Sequence, residues 1–469
     1  MRSVHLFLAV IFSTAAFGQS VDVRIANAVK GMEADGQFRH ATVSLYIVNS
    51  NTGKVVYDKN SQVGLAPASC QKVITSASAY EMLGAAYRYK TYLAYTGEIK
   101  DSVLNGNLYF MPSGDPTLGS WRWKDTDADR IKEKILHALQ ANHITAITGD
   151  LIIDDSKWET QSTPRGWIWE DLGNYYGAGA RGLNWHENQY DLTLKPGRNP
   201  GDSVEILFTK PELQVSVLIN ELRSGPVNSG DQSVIYLPED GAIGYLRGTV
   251  PAGRENFTVK GSIPNAALSF MKTMEEMLDA NNIRLKGKSK VSAFMFMNRE
   301  QLSYQPKILM THYSQPLDSM NYWFLQESIN LYGEAFVKTM AFEKNRFGAE
   351  DSGLALIRNF WSAHGIESSA LHIIDGSGLS PSNRVTTNAL VTVMQYARQQ
   401  PWFASFYNSL PEMNGIRMKS GYIGGARSYT GYIKSKAGVE YSFSFIINNY
   451  DGSPVTVREK MWRLLDILK

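Results

Sequence analysis

Apolar residues recur along the chain in two rhythms. Period-two alternation marks residues 41–49 and 54–58 as strands, and Asn51-Thr52-Gly53 between them has the residue chemistry of a hairpin turn. Spacing of three and four predicts helices at 21–34, carrying Val23, Ile25, Ala28 and Val29, and at 69–83, which Gly84 stops. From residue 87 the texture changes. Short strands at 91–96, 107–111 and 149–154 alternate with one clear helix at 127–141. Residues 187–262 hold short strands and turns, such as 202–209, 214–220, 234–237 and 245–249, the pattern of a small β domain. An amphipathic helix follows at 264–280. The last block begins near Val291. It predicts helices at 316–341 and 385–398, strands at 417–419, 429–434 and 440–448, and a closing amphipathic helix at 455–468. There is no fixed-period repeat.

Composition narrows the class. With 43% hydrophobic and 20% charged residues in 469, the profile is globular, and length alone suggests about three domains. A net charge of +2 implies no pull toward nucleic acid. The first 18 residues read as a secretory signal. Arg2 is the positive start, residues 4–12 form an apolar stretch too short to cross a bilayer, and Ala16-Phe17-Gly18 offers a cleavage site. The chain has one cysteine, Cys70, so no intrachain disulfide can form, which suits a bacterial periplasmic protein. The eight histidines show no ligand spacing, and neither a metal nor a cofactor is expected.

The chemistry begins at Ser69-Cys70-Gln71-Lys72. A serine and a lysine three apart at a helix start share one face. A serine hydroxyl needs a base, and a lysine whose proton affinity is lowered by burial or a neighbouring cation can serve. Cys70, on the next helical position, points elsewhere and reads as packing. Ser269-Phe270-Met271-Lys272 has the same spacing, but inside a helix, where the serine N–H is tied up. Two further short motifs follow: Ser328-Ile329-Asn330 in the long helical segment, with Ser319-Met320-Asn321 as a weaker match, and Lys419-Ser420-Gly421 at a strand end. Glycine there would let a substrate backbone pair along the strand. The order of the three motifs on helix start, helix and strand is the specific signal, that of β-lactamases and penicillin-binding proteins.

On these residues the chain resembles the D-alanyl-D-alanine carboxypeptidase/endopeptidase family, the class C low-molecular-mass penicillin-binding proteins. The resemblance extends to Leu65-Ala66-Pro67-Ala68-Ser69, Gly114-Asp115-Pro116-Thr117-Leu118, Gly149-Asp150-Leu151-Ile152-Ile153-Asp154 and Asp375-Gly376-Ser377-Gly378-Leu379-Ser380. It implies an α/β (α+β) fold: a serine β-lactamase/transpeptidase-like domain from 19–86 and 289–469, an inserted α/β domain from 87–186 and 263–288, and a small β domain at 187–262. It also implies the roles. Ser69 is the nucleophile and Lys72 its base. Ser328 relays a proton, Asn330 orients Lys72 and substrate, and Lys419 with Ser420 grips the substrate carboxylate. The N–H groups of Ser69 and Tyr422 form the oxyanion hole, Gly421 lies along the substrate, and Asp154 near Trp158 meets the peptide side chain. Peptidoglycan stem peptides are the implied substrate and β-lactam antibiotics the implied inhibitors. A serine β-lactamase and an inactive peptidoglycan-binding scaffold are the rival readings. Ser420 replaces the usual Thr, Ile329 the frequent Asp, and Pro381, with Arg384 nearby, a usual polar residue. Asp115 reads as a turn residue, Trp167 and Trp169 as core, and Gly177-Ala178-Gly179-Ala180-Arg181-Gly182 lacks the strand–helix context of a dinucleotide site.

Overall fold

The computed structural model describes residues 19–214, 217–297, 302 and 305–469; the signal segment expected at 1–18 lies outside them. The centre is an antiparallel sheet of six strands. Their order is Val55–Lys59, Thr42–Asn49, Glu440–Asn448, Ala426–Lys434, Ile416–Ile423 and Glu412–Met413. Residues near the two ends of the chain are thus adjacent: Leu45 faces Phe445 in register.

Alternation sorts the two faces of this sheet. Val43, Leu45, Ile47, Phe443, Phe445 and Ile447 pack with Ile25, Val29, Val457 and Met461 of the helices Val21–Glu33 and Pro454–Leu465. The other face is hydroxylic. Ser44, Ser428, Thr430, Ser442 and Ser444 are fully buried. Their hydroxyls pair with neighbours: Ser44 with Thr387 at 2.8 Å, Ser50 with Ser442 at 2.9 Å, Thr430 with Ser444 at 2.9 Å. Each pair satisfies two polar groups that would otherwise cost about 1–3 kcal/mol apiece. Over this face sits the helical block, with Val73, Ile74, Phe324, Tyr332, Phe336, Trp361 and Leu390 in one core.

A second sheet has the order Ser289–Val291, Leu151–Ile153, Leu108–Met111, Lys90–Tyr95, Lys307–Tyr313. Helices Ala128–Ala141 and Ala266–Ala280 share its core. A third cluster forms around Gln189–Lys195, which pairs with Glu205–Lys210 and Phe257–Ser262. The second sheet differs from expectation in one respect. Residues 289–291 and 307–313, expected with the catalytic block, pair with Leu151–Ile153 and Lys90–Tyr95, which were expected in the inserted domain. Lys307–Tyr313 lacks clean alternation, so only its partner reveals it as a strand.

Three elements near the motifs also differ. Apolar periodicity predicts one helix over 316–341, but the chain forms Leu317–Gln326 and Asn330–Asn345. The break is at Ser328, whose φ of 58° is left-handed and interrupts the helical ladder. Ser328 therefore sits between two helices, not within one. The helix expected at 69–83 opens as a 3₁₀ turn, Ala68–Gln71, before the α-helix Lys72–Met82. The strand expected at 417–419 runs over Ile416–Ile423, so Lys419 lies in mid-strand. Ser420-Gly421 looks like a break in sequence, yet the glycine is required there by what packs against it.

Candidate active site

The nucleophile turn is clamped by two glycines. A Cβ on Gly421 would lie 2.3 Å from Ser428 Oγ, 2.6 Å from the Pro67 carbonyl oxygen and 2.8 Å from the Ser69 nitrogen. A Cβ on Gly378, at φ 80°, would lie 2.0 Å from the Ala68 carbonyl oxygen. Ala68 itself has φ 46°, an unfavourable conformation for alanine that surrounding contacts must hold. The Ser69 turn thus rests between the strand Ile416–Ile423 and the loop at 375–380. Gly421 is needed for this approach, whatever a substrate backbone does beside it.

Lys72 is fully buried, and its side-chain nitrogen has three neighbours. Nζ lies 2.6 Å from Asn330 Oδ1, 2.7 Å from the Ser377 carbonyl oxygen and 3.1 Å from Ser69 Oγ. The first two atoms are pure acceptors. Asn330 Nδ2 donates to the Tyr176 carbonyl at 2.7 Å, which turns its Oδ1 toward the lysine. A neutral amine has two hydrogens and one lone pair. With both hydrogens given to these acceptors, the lone pair faces Ser69 Oγ. Burial, then the positive charge of Lys419, holds the lysine well below its ordinary proton affinity; Glu334 and Asp375 act in the opposite direction.

Lys419 is also buried, and burial pushes its pKa down to about 8. Its Nζ donates to the Ser420 carbonyl at 2.9 Å. Ser420 is half-buried, and Tyr422 is exposed. Glu412–Met413 pairs only with Arg417 and Ile416. The Met418 N–H still bonds the Pro411 carbonyl at 3.0 Å; beyond it the outer edge of the strand, residues 419–423, has no strand neighbour among the described residues and is open to an extended ligand. Cys70 packs under the site, its thiol donating to the Lys419 carbonyl at 3.1 Å.

The structure brings together Ser69, Lys72 and Asn330, with Lys419, Ser420, Gly421 and Tyr422 on the adjoining strand and Ser328 two residues before Asn330. Asp154 and Trp158 have other occupations. Asp154 accepts from the Ser156 N–H and hydroxyl, a local turn. Trp158 is buried and stacks on Phe342 at 5.2 Å. A different segment reaches the site through Tyr176, whose carbonyl orients Asn330 and whose ring lies near Asp171. Burial pushes the Asp171 carboxyl up to about 6. Trp167 is core as expected and donates to Asp375 at 2.9 Å, but Trp169 is 47% exposed. Its neighbours Ile168 and Glu170 are exposed too, and Trp169–Leu172 forms one short helical turn at the surface. Asp115 is the expected turn residue, accepting from the Thr117 N–H and hydroxyl. The second Ser-x-x-Lys is idle: Ser269 is buried, while Lys272 pairs with Glu212 at 2.6 Å. Arg384 is tied to its own turn, donating to the carbonyls of Pro381 and Asn383. The Ser377 carbonyl was not legible in sequence, because a main-chain oxygen has no residue signature; the Asp375–Ser380 run was its one available signal.

The chain is 26% identical over 460 residues to a D-alanyl-D-alanine carboxypeptidase of Actinomadura sp. (strain R39), covering 91% of this chain and 81% of that protein. It is 22% identical over 442 residues to the D-alanyl-D-alanine carboxypeptidase DacB of Haemophilus influenzae, covering 90% and 88%. The crystal structure of penicillin binding protein 4 (dacB) from Haemophilus influenzae superposes with a TM-score of 0.79 at 21% identity, over 94% of this chain and 97% of that one. A further structure of that protein, complexed with a β-lactam, superposes with a TM-score of 0.75 at 19% identity, over 95% and 99%. The profile of the D-Ala-D-Ala carboxypeptidase 3 (S13) family matches residues 25–467, and the chain belongs to that family of serine peptidases.

Proposed function

We propose that this D-Ala-D-Ala carboxypeptidase works through an acyl-enzyme on Ser69, with Lys72 as the base. The observation that carries the reading is the buried Lys72 Nζ, 3.1 Å from Ser69 Oγ and held by two acceptor oxygens at 2.6 and 2.7 Å. Ser69 Oγ attacks the carbonyl of the terminal D-Ala-D-Ala bond and passes its proton to Lys72. The main-chain N–H groups of Ser69 and Tyr422 hold the oxyanion; losing one such donor costs about 10²–10³ in rate. Ser328 carries a proton to the leaving amine, and the amide C–N bond breaks to release D-alanine. Lys419 and Ser420 bind the free carboxylate of the substrate, a charge-assisted contact. Water then attacks the ester and frees Ser69.

The substrate is a peptidoglycan stem peptide, with cross-linked peptides as a second target through endopeptidase cleavage, and β-lactams acylate the same serine. Residues 1–18 direct export to the periplasm. The insertions comprise an α/β unit, which on the strand pairing extends past residue 288 to 313, and the small β unit at 187–262. Asp154 meets the free amino end of the peptide side chain, and Asp171, near Tyr176, is a second carboxyl on the approach to the site.

Mass spectrometry of the protein with benzylpenicillin tests the acyl-enzyme. The expected result is a covalent adduct on the wild type and none on Ser69→Ala. A wild type without adduct, or an adduct that persists in Ser69→Ala, overturns the assignment.

A further inference from the structure

Helix Asn330–Asn345 carries an unusual stripe. Asn330, Glu334 and Lys338 follow at spacing four, so they share one face, and all three are buried. Buried polar groups are costly unless partnered. Asn330 joins Lys72 to the Tyr176 carbonyl. Lys338 Nζ donates to the carbonyls of Gln161, at 2.5 Å, and Ala180, at 2.9 Å, and lies 3.1 Å from the Glu159 carboxylate. Both ends of the stripe are therefore matched to fixed acceptors.

The middle member differs. Glu334 Oε2 accepts from the Gly376 N–H at 2.7 Å. Its Oε1 is buried and has no hydrogen-bond partner among the described residues. Gly376 adjoins Ser377, whose carbonyl is one of the two acceptors that aim the Lys72 lone pair. The peptide is gripped from the other side too, because Thr75 Oγ1 donates to the Gly376 carbonyl at 2.6 Å. A Cβ on Gly376 would meet the Gly333 carbonyl at 2.5 Å, so loop and helix are in direct backbone contact.

We propose that Glu334 is a positioning residue for Lys72: in its protonated form it fixes the Ser377 carbonyl beneath the lysine without placing a negative charge beside it. The reading rests on Lys72 being the base. The charged groups around Glu334 are Lys72 on the helix Lys72–Met82, Asp375 in the loop, Glu350 on the helix Glu350–Ala363 and Lys338 one turn along its own helix; beyond them, Glu159 faces Glu350 and Lys419 faces Lys72. Asp375 accepts N–H donors from Gln71, Trp167, Gly378, Ser380 and Asn383. Glu334 has a single N–H, so of the two neighbouring carboxyls it is the one built to keep a proton. Burial and the charge of Asp375 raise its proton affinity accordingly, against the nearby Ser377 side chain, the Gly376 N–H and Lys72. Were Glu334 ionised, it would favour the protonated, inactive form of Lys72.

The experiment is the pH profile of kcat/KM for D-alanine release from a D-Ala-D-Ala peptide, for Glu334→Gln, Glu334→Ala and Lys72→Ala. Glutamine keeps an oxygen for the Gly376 N–H and mimics the neutral acid. Glu334→Gln is expected to keep kcat within about threefold of wild type, with the acid limb unmoved, while Glu334→Ala loses about tenfold or more in kcat at matched folded protein. Glu334→Gln as slow as Glu334→Ala, or an acid limb displaced by about one pH unit or more, overturns the proposal. Lys72→Ala separates this from the base assignment. Activity retained there overturns both readings. Activity lost there supports the base, and the contrast between the two Glu334 variants then decides for or against the positioning role.

Discussion

Two oxygens decide which way the Lys72 nitrogen faces, and only one belongs to a side chain. That division explains what was legible at the scale of residues. Ser69, Lys72, Asn330 and Lys419 carry reactive groups on short, recognisable motifs, and the structure gathers them. The Ser377 carbonyl, the Tyr176 carbonyl and the unpartnered Glu334 oxygen have no such signature, since their roles come from placement. Asp154 likewise accepts from the Ser156 N–H and hydroxyl, a local contact that its place at a strand end does not announce. The charge of Lys419 gives a prediction at this scale. Burial holds its pKa at about 8 in the free protein, so above that pH the grip on the substrate carboxylate is lost. KM for a D-Ala-D-Ala peptide is expected to rise as pH goes from about 7 to 10, while kcat holds to higher pH because bound carboxylate stabilises the charged lysine. Steady-state kinetics across that range check this; a flat KM contradicts it.

At the scale of elements, what periodicity cannot see is backbone. Residues 317–345 keep a helical rhythm throughout, but the left-handed Ser328 splits the run and places its hydroxyl at a junction. Likewise Ile416–Ile423 continues through Gly421 because the Ser69 turn presses against it. Gly421→Ala tests that contact. The added methyl would overlap Ser428 Oγ, the Pro67 carbonyl and the Ser69 nitrogen, so strand and turn must separate. The expected cost is about 1–3 kcal/mol in stability, read by denaturant unfolding, with a loss of kcat/KM larger than the fall in folded fraction explains. A variant with unchanged kcat/KM would mean that the turn tolerates the shift.

For the whole molecule, sequence texture could not show that 289–291 and 307–313 pair with Leu151–Ile153 and Lys90–Tyr95, because strand pairing depends on distant partners. Burial of acids also sets a global pH response. Asp115 is buried, and burial raises its carboxyl from 3.8 to about 6. Between about pH 4 and 6 the folded state retains a proton that the unfolded state has released, so this contribution to stability is full below that window and is lost as pH rises through it. Asp115→Asn is expected to flatten that decline, measured as the melting temperature at pH 4 against pH 7; an unchanged slope would contradict it.

The central sheet has one more consequence. Strand Glu440–Asn448 lies between Thr42–Asn49, which leads to Ser69, and Ala426–Lys434, which adjoins the strand of Lys419. A chain cut at residue 439 would still contain all three motifs, yet it would lack the strand that joins the nucleophile half to the lysine half. The motifs alone therefore do not make the site; the strand between their halves does.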